Sequence, residues 1–256
     1  MVSDLGWGPP LEDRVPTTGS ARCMCPSASM ANTSTRSLGL SASGLPRPGW
    51  LWRRGGHGRP ILPVVQRGIL GGTFDPPHLA HLFAGEAAYR DLELDVVTFI
   101  PAGAPWQKAG QYVTGAEDRW RMVQLAVAAA DYFEADDREV RRDGWTYTVD
   151  TLESFDSDDE ITLVLGADAA KGILSWQRSQ DILDRVRVAV IPRPRVERSD
   201  VDWVLRGHNY VWLDTPEFVL SGTILRVRAA TGRSLRFLVP DSVWDYIQER
   251  GLYGAA

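Results

Sequence analysis

The segment Gly71-Gly72-Thr73-Phe74-Asp75-Pro76-Pro77-His78-Leu79-Ala80-His81 gathers the groups in this chain best suited to holding an anion. Two glycines let the backbone approach a ligand closely and leave amide N–H groups free to face negative charge. Pro77 suits the first position of a helix, where its missing N–H costs nothing. A helix starting there sets His78 and His81, two of the four histidines, three residues apart on the first turn. Both then stand beside helix-terminal N–H groups that favour phosphate. Asp75 reads as a turn or cap residue. A zinc site would need further ligands, and the two cysteines, Cys23 and Cys25, lie far upstream. Neither G-x-G-x-x-G nor G-x-x-x-x-G-K-[ST] occurs, so the loop would bind phosphate by another route.

Such a loop has to be held by something. From residue 67 onward the chain alternates strand-like and helix-like patterns. Arg67–Gly71, Asp95–Ile100, Ile161–Leu165 and Val186–Ile191 are short, rich in β-branched residues and bounded by Gly or Pro. Their two-sided apolarity fits a sheet covered on both faces. Helical stretches are expected at roughly Pro77–Leu92, Ala116–Ala130, Tyr147–Phe155 and Gln177–Val186. In the first, Leu79, Leu82, Phe83 and Ala87 follow the spacing of a buried stripe. The alternation predicts an α/β fold with a doubly wound parallel sheet. Ligands of such sheets bind beyond the carboxyl ends of the strands, which directs attention to the strand-to-helix loops.

Residues 1–66 differ. They hold eight Pro, nine Gly and eight Ser without a repeating apolar face, and seven Arg against three acids. A segment of this kind is expected to be disordered, or to be an upstream stretch ahead of a natural start near Met30 or Val64. Arg53-Arg54 is followed by Gly-Gly-His-Gly rather than an apolar core, unlike an export signal. Residues 67–256 carry 21 basic against 30 acidic residues. That acidity, without a basic stripe, argues against nucleic-acid binding. No apolar run approaches the ~20 residues of a membrane span, and the sparse cysteines suit the cytoplasm.

Beyond the first loop the chain resembles a known family. G-G-T-F-D-P-P-H-x-x-H from Gly71 is similar to the signature of the nucleotidylyltransferase superfamily. More narrowly it resembles the bacterial nicotinate-nucleotide adenylyltransferases, although they usually have Gly where this chain has Ala80. Pro101-Ala-Gly-Ala-Pro105-Trp106-Gln107-Lys108 resembles the loop that carries their phosphate-contacting lysine. Asp118-Arg119 and Met122 match a helical segment. Trp145-Thr146-Tyr147-Thr148-Val149-Asp150-Thr151-Leu152 resembles an S-Y-T-x-D-T-L run, with Thr146 for Ser. Gly166-Ala167-Asp168 and Trp176 resemble G-A-D…W. Leu220-Ser221-Gly222-Thr223-Ile224-Leu225-Arg226 resembles I-S-S-T-x-I-R, with Gly222 for a serine. The tail Leu238-Val239-Pro240…Tyr246-Ile247…Leu252-Tyr253 also fits, so the resemblance spans 67–256.

The resemblance implies a Rossmann-like sheet and transfer of an adenylyl group from ATP to nicotinate mononucleotide, giving deamido-NAD and pyrophosphate. His78, His81, Lys108 and Arg226 would be catalytic, with His81 cationic or in the right tautomer. Gly71, Gly72, Thr73, Phe74, Gly166, Asp168, Ser221 and Thr223 would hold ATP, Asp168 at the ribose hydroxyls. Ser221 and Thr223 would open a helix facing phosphate. Trp176 would stack on the pyridine ring, while Thr148 and the backbone near Gln177 hold its carboxylate. Mg²⁺ would arrive with ATP, without a dedicated protein metal site. Ala80 should tighten the site slightly, and Gly222 should remove one hydroxyl donor. Trp120, Trp203, Trp212 and Trp244 are assigned to packing. Rival readings are phosphopantetheine adenylyltransferase, a cytidylyltransferase, or a catalytically silent nucleotide-binding regulator. None of them fixes an oligomeric state.

Overall fold

The computed structural model describes residues 64–105, 108, 110, 112–155 and 158–255. The expectation for residues 1–63, and Trp106 and Gln107, lie outside the described residues. Six parallel strands form one sheet in the order β3-β2-β1-β4-β5-β6. They are β1 (Gln66–Gly72), β2 (Val96–Pro101), β3 (Phe133–Ala135), β4 (Glu160–Gly166), β5 (Arg187–Ile191) and β6 (Tyr210–Trp212). The doubly wound α/β expectation holds. Hydrogen bonding to the sheet already includes residues 65 and 66, because the Val65 carbonyl accepts from Glu160 N–H and Gln66 N–H donates to Asp95.

The strands bury alternate residues on opposite faces, as their unbroken apolarity requires. Ile69, Leu163, Val188 and Val190 face one cluster with Leu152, Ile182 and Val201. Leu70, Val164 and Ala189 face the other, with Ala84, Ala88 and Val123. The first layer is built by α3 (Thr148–Glu153), α4 (Ala167–Lys171), α5 (Ser179–Arg185) and α6 (Arg198–Val204); the second by α1 (Leu79–Asp91) and α2 (Ala116–Val127). A third cluster joins α2 to α7 (Gly222–Ala230) and α8 (Asp241–Glu249) through Met122, Leu225, Val243 and Ile247.

Several expectations need correcting. Helix α1 begins at Leu79, not Pro77: His78 is its N-cap in extended conformation, and the Leu79 N–H donates to Leu238 O at 3.0 Å. The buried residues of α1 are Ala80, Ala84, Gly85, Ala87 and Ala88; of the expected stripe Ala87 is among them and Leu82 packs against the core, while Leu79 is exposed. Small residues are needed because the helix lies close: a Cβ on Gly85 would stand 2.8 Å from the Phe99 ring. Ala80 is buried and lines neither cavity described below. Trp203 is exposed rather than packed. No described helix is long and apolar enough to cross a membrane.

Strand order reverses direction between β1 and β4, whose following connections lead to opposite layers. The crevice at that switch is where this class of sheet takes its ligands.

Candidate active site

Two adjoining cavities open at the switch. The smaller, about 280 Å³, is lined by Gly71, Gly72, Thr146, Thr148, Gly166 and Trp176 among others. The larger, about 780 Å³, is lined by Phe74, His78, Lys108, Ser221, Thr223 and Arg226 among others. Thr73, His81, Asp168 and Arg193 line both. Of the sequence-predicted residues only Gln177 lies apart: it is exposed and lines neither cavity, because α5 starts two residues later.

The loop after β1 is clamped from below. Asp75, 4% exposed, accepts from the Tyr253 hydroxyl at 2.6 Å and from Thr114 N–H at 3.2 Å. Its carbonyl accepts from Arg226 at 2.7 Å, and its carboxylate lies 3.8 Å from the same guanidinium. Asp75 thus anchors the loop and does not cap α1. Arg119 is 1% exposed. It donates to the carbonyls of Thr73, Ala102, Gly103 and Thr114 at 2.5–3.0 Å. One buried guanidinium so ties the loop after β1 to the loop after β2, satisfying carbonyls that would otherwise be stranded. A Cβ on Gly222 would stand 2.6 Å from the Asp75 carbonyl oxygen. The missing serine is therefore matched by a close approach of α7 to this loop.

On this base sit the histidines. Their rings stack at 3.7 Å and 18°, and the Phe74 ring supports His81 edge-on at 4.9 Å. Phe74 itself is buried beneath the loop, so its side chain positions His81. His78 N–H donates to His81 Nδ1 at 3.2 Å, which assigns the proton of a neutral His81 ring to Nε2. Burial, the neighbouring His78 and the charges of Arg193 and Lys108 hold His81 well below the ordinary histidine range. Burial and then Arg193 push His78 down to about 4. Before ligand binds, both rings are neutral at pH 7, so of the two states expected for His81 the structure has the neutral tautomer.

The cations come from separate loops. Lys108, after β2, is lowered by burial and by Arg226. Arg226 comes from α7, whose N-cap Ser221 accepts from Ile224 N–H at 3.3 Å, and Thr223 Oγ1 accepts from Arg226. Arg193, which the sequence reading passed over, follows β5. Its Nε is buried without a hydrogen-bond partner, 3.8 Å from Asp168 Oδ1. The signal was available: Pro192-Arg193-Pro194-Arg195 occupies a strand-to-helix loop like the others. Glu139 was also missed. It lines the smaller cavity and accepts from the Thr151 hydroxyl at 2.6 Å, and burial raises it.

The arrangement can hold two ligands end to end, with donors concentrated where they meet. The chain matches a cytidylyltransferase-like family model over residues 69–228. A Desulfitobacterium hafniense (strain DSM 10664 / DCB-2) protein named probable nicotinate-nucleotide adenylyltransferase is 37% identical over 203 residues, covering 75% of this chain and 97% of the relative. A protein of the same name from Acidothermus cellulolyticus is 36% identical over 194 residues, covering 73% and 93%. Among solved structures, Plasmodium falciparum nicotinic acid mononucleotide adenylyltransferase complexed with NaAD shares the fold. Its TM-score is 0.64 at 16% identity, covering 75% of this chain and 98% of that one.

Proposed function

The chain belongs to the nicotinate-nucleotide adenylyltransferase family, and from that premise we propose that it joins ATP to nicotinate mononucleotide. A 5′-phosphate oxygen of the mononucleotide attacks the α-phosphorus of ATP. The bond to the β-phosphate oxygen breaks, pyrophosphate leaves and deamido-NAD forms. The observation that carries this reading is the pair of cavities meeting at Thr73, His81, Asp168 and Arg193. No covalent enzyme intermediate is required, so the protein's task is positioning and neutralising charge.

The larger cavity takes ATP, its phosphates toward His78, His81, Lys108 and Arg226. The Nε2–H of His81 donates to the α-phosphate, where charge grows as the new bond forms. Approaching phosphate favours the imidazolium, offsetting the burial that keeps the free ring neutral. Lys108 and Arg226 take the leaving pyrophosphate, the first as a point charge and the second as a planar fork. Arg193 spans the junction and receives the acceptor phosphate on its unpartnered Nε. Among the described residues no three His, Cys, Asp or Glu side chains are grouped to hold a metal ion. Mg²⁺ would be carried with ATP, where it would neutralise charge on the phosphate oxygens.

The smaller cavity takes the pyridine ring against Trp176, with the Thr148 region facing its carboxylate. A nicotinamide NH₂ would meet the same donors unmatched, costing on the order of 1–3 kcal/mol. The full chain with MgATP should release pyrophosphate with nicotinate mononucleotide at a kcat/KM at least about tenfold above that with the nicotinamide form. Turnover with phosphopantetheine, or with CTP and not ATP, would replace the substrate assignment. Equal efficiency with both pyridine mononucleotides would remove only the carboxylate pocket.

A further inference from the structure

Two residues beyond Arg193 the chain places another arginine in a backbone state that side chains avoid. Arg195 has φ +67°, in the left-handed region. Glycine would take that conformation without steric cost, so a bulky residue there calls for an explanation in contacts. Among the described residues no hydrogen bond or ion pair of Arg195 supplies one. It is exposed, yet it lines the larger cavity with Pro194.

The other charges of that cavity are differently committed. Arg226 holds the Asp75 carbonyl and lies near its carboxylate. Arg193 stands beside Asp168. The two histidines are neutral before ligand binds. Lys108 and Arg195 have no acidic side chain within ion-pair distance among the described residues. They also arrive from opposite sides of the switch: Lys108 follows β2, beyond β1, and Arg195 follows β5, beyond β4. A polyanion entering between them would be gripped from both sides.

We propose that Arg195 binds the polyphosphate chain of the incoming nucleoside triphosphate, at the rim of the larger cavity opposite Lys108. The proposal deepens the adenylyltransferase reading and rests on it for the nucleotide's orientation. Arg195 is a binding residue here, acting on ATP capture and pyrophosphate retention rather than on the bond-breaking step. A guanidinium at the rim also raises the local concentration of an anion that the acidic body of the protein repels.

The test is Arg195→Gly in the full chain, which relaxes the left-handed backbone and so keeps the fold, with a melting temperature equal to or above the parent's. KM for ATP should rise about three- to fivefold, the upper part of the range for an exposed charged contact. KM for nicotinate mononucleotide should not move. Product inhibition by inorganic pyrophosphate should weaken by a similar factor, and Arg195→Lys should recover most of both. An ATP KM within twofold of the parent's would overturn the proposal. So would a raised ATP KM with unchanged pyrophosphate inhibition, which would move Arg195 to the base or ribose. Calorimetric binding of pyrophosphate to parent and variant, without any acceptor, separates the two readings. If the parent fails to turn over nicotinate mononucleotide but Arg195→Gly still loses pyrophosphate affinity, the substrate assignment falls and the Arg195 site stands.

Discussion

The two ends of the sheet treat buried charge in opposite ways. At the amino end Arg67 is fully engaged: it bonds Thr98 at 2.7 Å, Glu134 at 2.8 Å and Asp159 at 3.1 Å. At the carboxyl end His78 Nδ1 and Arg193 Nε are buried without a hydrogen-bond partner, Arg193 having only a 3.8 Å approach to Asp168. The His81 N–H, which could have capped the His78 ring, goes to the His78 carbonyl at 2.8 Å. Unpaired buried polar groups are costly and therefore rare in a settled structure. Their grouping at one end, with an arginine satisfied at the other, supports the reading that the first end serves a ligand and the second the fold.

Breaking the ligand end should have the largest consequence. His81→Ala should lower kcat by about two to four orders of magnitude with a smaller change in ATP KM, since the lost donor acts where charge develops. A rate within about threefold of the parent's would make His81 structural. Breaking the fold end should do the reverse. Arg67→Met strands Asp159, leaves the Thr98 hydroxyl only its 3.4 Å bond to Glu134, and should cost about 2–3 kcal/mol in denaturant unfolding while leaving ATP KM within twofold. A large KM change there would dissolve the contrast between the ends.

The subtlest test is pH. His78 titrates at about 4 when folded and near 6.5 when unfolded. On acidification the unfolded chain takes the proton first, so stability present above pH 6.5 is lost as pH falls toward 4. Between pH 7 and pH 5 the parent should lose about 2 kcal/mol more unfolding free energy than His78→Gln. Parallel pH profiles of parent and variant would show that His78 carries no such burial penalty.

What could be read beforehand was local. Strands β1, β2, β4 and β5 announce themselves because both their faces are buried and their central residues are apolar or β-branched. Strands β3 and β6, three residues each at the sheet's edges, are too short to show a period. The packed face of α1 was misjudged because Leu79 and Phe83 dominate a hydrophobic pattern, whereas close approach to Phe99 selects alanine and glycine. His78 and His81 could be placed from the strand-to-helix loop itself, whereas Lys108, Thr148, Trp176 and Arg226 were legible only through the motifs that resemble the family's. The grip of Arg119 on four carbonyls could not, since carbonyls belong to every residue and leave no signature. Asp75 was taken for a local cap because its partners are remote: Thr114 is 39 positions away and Tyr253 is 178.

That last separation bears on how the protein comes into being. The hydroxyl that fastens the phosphate loop belongs to a residue synthesised 178 positions after the loop itself. On the ribosome, β1 and its glycines emerge long before Tyr253 is available. The sheet can assemble strand by strand while the loop still lacks its anchor. A nascent chain can thus be largely folded and still unfit to align two phosphates. Competence therefore waits on a residue made 178 positions after the loop that it tethers.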